Sequence, residues 1–173
     1  MNRHSGFTLI ELLVTLTIAA ILAGVGIPAL QNMMMTNRRA AVVNALVADV
    51  QHARSTASSL YQPVVLCAST GAGCAEAGSN WANGWLVFVD ENDDGVFDAG
   101  EKVLSRAAPR RKVRILSNQA SFTFHPNFNR VGAAGTLAVC MNAGPDDDRW
   151  IAISTTGRPR LETVHPGSGA PTC

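Results

Sequence analysis

Residues Phe7 to Leu30 form a predominantly apolar run of 24 residues in which Glu11 is the single charge. As an α-helix such a run rises about 36 Å, enough to cross a hydrocarbon core of roughly 30 Å. A carboxylate at the centre of a membrane helix costs roughly 2.5–3.5 kcal/mol even on the lenient insertion scale, so Glu11 needs a partner or a place near the headgroups. Pro28 removes a backbone donor and is expected to kink the helix. Beyond it the apolar pattern becomes one-sided. Val43, Leu46, Val47, Val50, Ala53, Ala57 and Leu60 recur at three and four residues, with Asn44, Asp49, Gln51 and Arg54 on the other face. The pattern predicts one helix of about 50 residues, apolar over 7–30 and amphipathic over 31–61. Met33, Met34 and Met35 at the junction read as soft packing.

Past Tyr61 the period changes. Short apolar runs stand at Pro63–Cys67, Gly84–Val89, Lys112–Leu116, Ser121–Phe124, Thr136–Cys140 and Trp150–Ser154, with glycine, proline and asparagine between them. That spacing predicts an all-β head over 62–173 and no internal repeat. The expected fold class is therefore α+β: a long N-terminal helix, transmembrane in its first half, packed on a β-sheet head.

Composition sharpens this picture in three places. A chain of 173 residues with 47% hydrophobic and 16% charged residues can build one core and an appendage, which argues against disorder. A net charge of +1 gives no global basic field, so any nucleic-acid site must be local. Cys67, Cys74, Cys140 and Cys173 are an even set without CxxC spacing, read as two disulfides if the head is exported. Cys67 and Cys74 enclose a glycine-rich loop and suit each other, and Cys173 can staple the tail to Cys140; three connectivities exist, and sequence does not choose among them. The N-terminus fits a secretory signal poorly, because only six residues precede the run and no small-x-small site follows it. Arg3, Arg38 and Arg39 flank the run without setting its orientation.

Gly6-Phe7-Thr8-Leu9-Ile10-Glu11 after a short basic leader resembles the class III signal of type IV pilins and type II secretion pseudopilins. The resemblance implies removal of residues 1–6 by a prepilin peptidase, cleavage between Gly6 and Phe7, and methylation of the Phe7 amine. Glu11 becomes the fifth residue of the mature chain, and in a filament it can pair with the Phe7 ammonium of a neighbouring subunit. A buried carboxylate tolerated only when paired agrees with that role. Trp81-Ala-Asn-Gly84-Trp85-Leu-Val-Phe88-Val-Asp90, with Asn92, Asp94, Gly95 and Glu101 after it, is similar to the subgroup containing the H pseudopilin and the FimT and FimU minor pilins. The implied partners are other pilins and minor pilins, the peptidase, and the inner membrane before assembly. The implied location is a single-pass inner-membrane chain with a periplasmic head, later a pilus at the cell surface.

Asp90, Asn92, Asp94, Asp98 and Glu101, with Gly95, satisfy the calcium-loop spacing of an EF-hand. An EF-hand needs flanking helices, whereas a strand enters this loop and Lys102-Val103-Leu104 leaves it. The context favours a turn in which Asp and Asn side chains bond nearby N–H groups; calcium is the second reading of the same residues.

Thr155-Thr156-Gly157-Arg158-Pro159-Arg160 resembles the Gly-Arg-x-Arg motif with which FimT-type minor pilins of transformable bacteria bind DNA. Pro159 fixes an extended backbone, which puts Arg158 and Arg160 on one side, each able to grip a phosphate. Thr156 and its neighbour add hydroxyls. Lys112 and Arg114, on one expected strand face, would extend the basic surface if they lay beside that loop. With no aromatic residues interleaved, backbone contact with double-stranded DNA is favoured over stacking. The plain alternative is solvated arginines, paired with the Asp146-Asp147-Asp148 loop. His52, His125 and His165 are scattered and no serine sits in a nucleophile elbow, so no enzyme and no resident cofactor are expected. The sequence thus predicts a FimT-like minor pilin that holds DNA for uptake in natural transformation, with a priming minor pilin or an H pseudopilin as alternatives.

Overall fold

The computed structural model describes residues 8–76, 78, 80–126, 132, 134–141 and 148–173. Gly6 and Phe7 lie outside this set, as do Asp146 and Asp147. Helix α1 (Leu9–Leu60) runs for 52 residues through Pro28. The chain divides into two compact units, residues 1–38 and 39–173.

In the first unit the helix is long and apolar enough to cross a membrane. Its large side chains, from Leu9 through Leu30, are exposed all round. Thr15 and Thr17 return their hydroxyl protons to the carbonyls of Leu12 and Val14 at 2.9 and 2.8 Å, so neither needs water. The first turn is capped: the Glu11 N–H donates to Thr8 Oγ1 at 3.3 Å. Thr8-x-x-Glu11 thus has the spacing of a capping box, with the carboxylate at the end of the helix that favours negative charge.

The second unit contains the amphipathic part of α1 and eight strands. These are β1 (Val64–Ala68), β2 (Trp85–Val89), β3 (Val103–Arg106), β4 (Arg114–Ser117), β5 (Ser121–Phe124), β6 (Gly135–Cys140), β7 (Arg149–Ile153) and β8 (Pro159–Glu162). They form two antiparallel four-stranded sheets in the orders β3-β2-β1-β5 and β4-β6-β7-β8. Val42, Val43, Leu46, Val50, Ala53 and Ala57 of the helix pack into one core with Leu66, Val87, Phe122 and Phe124 of the first sheet and Ile115, Leu137, Val139, Ile151 and Ile153 of the second. This is the stripe expected from the sequence, with two differences. Leu60 is 43% exposed at the helix end. Asp49 is half-buried, and its Oδ2 accepts the Trp85 indole N–H at 2.6 Å, joining helix to sheet.

The strands β1 and β2 are buried on both faces. Their second face, Val65, Cys67, Leu86 and Phe88, is covered by Cys74 and Phe97. Phe97 meets Phe88 edge-on at 5.2 Å. The turn before β2 requires Gly84, at φ +117° with a Cβ that would stand 2.5 Å from the Ala107 carbonyl oxygen. Disulfides join Cys67 to Cys74 and Cys140 to Cys173, one of the three connectivities open to the sequence. The second bond, together with Trp150 Nε1 donating to the Pro171 carbonyl at 3.1 Å and Asn118 Nδ2 to the Gly169 carbonyl at 2.9 Å, straps the tail across the outer face of the second sheet.

Two expected features differ. The run Lys112–Leu116 becomes strand only from Arg114, because Lys112 turns at φ +61°; strand alternation therefore does not place Lys112 beside Arg114. The edge strand β8 was not anticipated, since Pro-Arg-Leu-Glu offers no apolar run. Proline is admissible there as the first residue of an edge strand.

Candidate functional site

The turn between β7 and β8 presents the arginine motif. Ile153 pairs with Pro159, which leaves residues 154–158 to reverse the chain. Gly157 sits at φ +71°, its N–H donating to the Ser154 carbonyl at 2.8 Å, while Ser154 N–H donates to the Arg158 carbonyl at 3.1 Å. A residue with a Cβ is disfavoured there, so the glycine of the motif sets the turn. The Ser154 Oγ accepts the Arg158 N–H at 3.1 Å and lies 3.0 Å from Thr156 Oγ1. The turn is braced from the helix: Arg54 Nε donates to the Thr156 carbonyl at 3.1 Å. Arg54 stood in the sequence only as one polar-face residue, because nothing local connects it to a turn 102 residues away.

Arg158 and Arg160 are exposed but diverge. Arg158 precedes β8 and lines a depression of about 650 Å³ with Gln51, Arg54, Ser55, Ser58, Ser59 and Pro159. Arg160, inside β8, lines another of about 280 Å³ with Thr136, Ala152 and Ser154 on the outer face of the sheet. The expectation that both arginines share one side fails because only Arg160 belongs to the strand. Its guanidinium lies 3.5 Å from Glu162, with the arginine side chain 80% exposed. Such a pair is worth at most about 1 kcal/mol and yields readily to a phosphate.

The second basic cluster is not beside the first. Strands β4 and β8 are opposite edges of their sheet. Arg114 pairs with Cys140, whereas Arg160 pairs through Ala152 with Thr136. Both lie on the outer face at diagonal corners, three strand spacings and four residues apart, or about 20 Å. Arg114 donates to the Cys173 carbonyl at 2.8 Å, and Arg110 lies over the Trp85 ring at 5.6 Å. Lys112 is exposed in its turn. The continuous basic stripe is therefore absent from this region.

The acidic loop after β2 is a network of side chains bonding backbone. The buried Asp90 accepts the Asp94 and Gly95 N–H groups at 3.2 and 2.8 Å. Glu101 accepts those of Glu91 and Asp98 at 3.1 and 2.9 Å. Asn92 Nδ2 donates to the Asp94 and Asp98 carboxylates at 2.9 and 3.2 Å, and Asp94 Oδ1 accepts the Val96 N–H at 2.8 Å. These are the bonds of the turn alternative. Elsewhere Cys140, Asp148 and Cys173 come within 4.8 Å of one another, but both sulfurs are spent in the disulfide and cannot ligate as thiolates. Asp148 accepts the Met141 N–H at 3.0 Å, and so is not a partner held out for the arginines of the turn. His52 is exposed on the helix, His125 lies 3.8 Å from Asp93, and His165 meets the Trp150 ring at 5.5 Å, so they converge on no common site.

Comparison with known proteins places this geometry. Residues 1–27 match the prokaryotic N-terminal methylation motif, and residues 42–157 match the family of the type II transport protein GspH. Two crystal structures of the type IV minor pilin FimU from Pseudomonas aeruginosa (strain PAO1) share the fold. One has a TM-score of 0.57 at 23% identity, covering 73% of this chain and 89% of that one. The other has a TM-score of 0.51 at 24% identity, covering 69% and 88%. No curated protein matches by sequence. The chain belongs to the GspH family, a pilin-type subunit with an N-terminal methylation motif and the pilin fold of a minor pilin.

Proposed function

We propose that this subunit is a minor type IV pilin of the FimT kind that holds double-stranded DNA by its phosphates during uptake. The observation that carries the reading is the β7–β8 turn, where Gly157 at φ +71° shapes a tip that exposes Arg158 and Arg160 on two sides. Two guanidiniums around one edge suit the curved, repeating charge of a duplex backbone rather than one small anion. Contacts to phosphates carry no sequence information, so binding through them is expected to be independent of sequence. Lys112, in the turn before β4, and Arg114, at the far corner of the outer sheet face, stand apart from the grip of the tip. Before assembly the prepilin sits in the inner membrane, a prepilin peptidase cuts between Gly6 and Phe7, and Glu11 then guides entry among other pilins.

The test is a titration of the full chain, held in non-ionic detergent, with a duplex of arbitrary sequence over a salt series. Wild type is expected to bind with a steep salt dependence. Arg158→Ala/Arg160→Ala is expected to weaken binding and to flatten the log–log slope by about 1.8, taking roughly 0.9 per phosphate. A second reading, an H pseudopilin whose head meets other pseudopilins or an exported protein, is favoured by the family match over residues 42–157. It becomes the better one if wild type does not bind at low salt.

A further inference from the structure

A net charge near zero hides a segregation of charge along the chain. Residues 55–101 hold seven acidic residues and neither lysine nor arginine, whereas residues 102–145 hold seven basic residues and neither aspartate nor glutamate. The fold sends the two blocks to opposite ends of β2. The acidic loop leaves β2 after Val89, while the connection from β3 to β4, residues 107–113, crosses beside Ala82 and Trp85. There the Ala107 N–H donates to the Trp85 carbonyl at 2.9 Å and the Arg110 N–H to the Ala82 carbonyl at 2.7 Å, which fixes the connection between its sheets. Its cations are not equivalent. Arg106 and Arg114 are engaged, donating to the Gly71 and Cys173 carbonyls at 2.6 and 2.8 Å. Arg110 lies over the Trp85 ring, whose indole N–H bonds the Asp49 carboxylate, and is spent on that packing. Arg111 and Lys112 are exposed and have no side-chain hydrogen bond, ion pair or ring contact among the described residues. Lys112 also holds φ +61°, a conformation that suits glycine and disfavours any residue with a Cβ. A charged side chain standing at a glycine position of a braced turn is strain of the kind that accompanies function.

We propose that Arg111 and Lys112 form a second phosphate contact, on the same duplex that the β7–β8 tip holds. The inference rests on the DNA-binding reading above and adds a separate anchor to it. Lys112 is two residues from Arg114, and Arg114 stands about 20 Å from Arg160 across the second sheet. That interval is about six base pairs at 3.4 Å each, short for a duplex and far beyond the reach of a small anion. A backbone already fixed by two bonds loses little freedom when the turn meets a phosphate. The acidic loop at the other end of β2 repels a duplex, so one that meets both anchors runs on the side of the second sheet. Two anchors set the direction of the duplex, which a single tip cannot do.

The same titration tests the contact with two more variants of the full chain, each checked for thermal midpoint. Arg111→Gln/Lys112→Gly is expected to weaken binding about tenfold at low salt and to flatten the log–log slope by about 1.8, two phosphates' share. Its midpoint should not fall, because glycine relaxes the turn, so a loss of binding is not a loss of fold. Lys112→Arg keeps the charge and is expected to keep the slope. A flattened slope in Lys112→Arg would mean that the shape of the turn matters and not its charge, and would overturn the contact. Weaker binding by the double variant with the slope unchanged would overturn it too. If the double variant binds as wild type does, DNA meets the tip alone and the second contact is overturned, while the loss in Arg158→Ala/Arg160→Ala keeps the wider reading. Disappearance of that variant from sheared filaments would then assign the basic turn to an acidic neighbouring subunit. Two duplexes bound per chain would overturn the bridge between the anchors. No binding by wild type at low salt removes both readings.

Discussion

Asp90 shows how one carboxylate can hold a loop that resembles a metal site. It is fully buried at the end of β2. A buried carboxylate is expensive unless it is hydrogen-bonded, and Asp90 receives two backbone N–H groups, from Asp94 and Gly95. Asp90→Ala removes both acceptors and leaves two donors searching for water. The expected loss is about 3 kcal/mol, read from the denaturation midpoint, and Asp90→Asn should lose less because one acceptor oxygen survives. Because the loop's own N–H groups already satisfy its carboxylates, the midpoint in chelator should match that in excess calcium. An upward shift with calcium would show an ion bound to the native loop.

At the level of elements, the two disulfides have unequal work. Cys67–Cys74 closes seven residues of chain, and Cys140–Cys173 closes 33. Chain entropy ranks their stabilisation at about 2.4 and 3.7 kcal/mol. Cys140→Ala/Cys173→Ala should therefore lower the unfolding midpoint more, and should release the tail to proteolysis while β6 and β7 stay protected. Equal losses would mean that the tail is held by Trp150 and Asn118 without the bond. What was legible in the chain follows the same physics. The helix stripe could be read from Val43 to Ala57 because its period is local, and β2 because Trp85–Val89 is apolar throughout. Strand β8 could not, because an exposed edge strand needs no apolar pattern; its backbone partners in β7 define it. Lys112 was misplaced because its left-handed backbone breaks an alternation that its side-chain type does not reveal. Arg54 was invisible as part of the site, since its partner Thr156 becomes near only after the head has folded.

For the molecule as a subunit, the unexplained cost is the apolar helix surface. Leu9, Ile10, Leu13, Leu16, Ile21, Leu22 and Val25 are all exposed, far more than water tolerates on one surface. Lipid or the helices of neighbouring subunits must cover it. In either setting Glu11 is the exception, and its capped first turn explains only part of its presence: Thr8 accepts the Glu11 N–H, and the helix end favours negative charge. Neither effect needs the carboxylate to survive burial among other helices. A partner charge does, and the amine of a neighbour's processed Phe7 would provide one. Truncating one member of a buried ion pair costs about 3–5 kcal/mol, more than a hundredfold in an assembly equilibrium. Glu11→Ala is therefore expected to leave leader cleavage intact and to reduce recovery of the subunit in sheared filaments to a trace. Glu11→Gln keeps the shape but not the charge, and should fail in the same way. Cleavage is followed by the mobility of the chain on a gel, and incorporation by blotting the filament fraction. Normal incorporation of Glu11→Gln would mean that shape alone suffices, and the carboxylate would then serve only the helix cap.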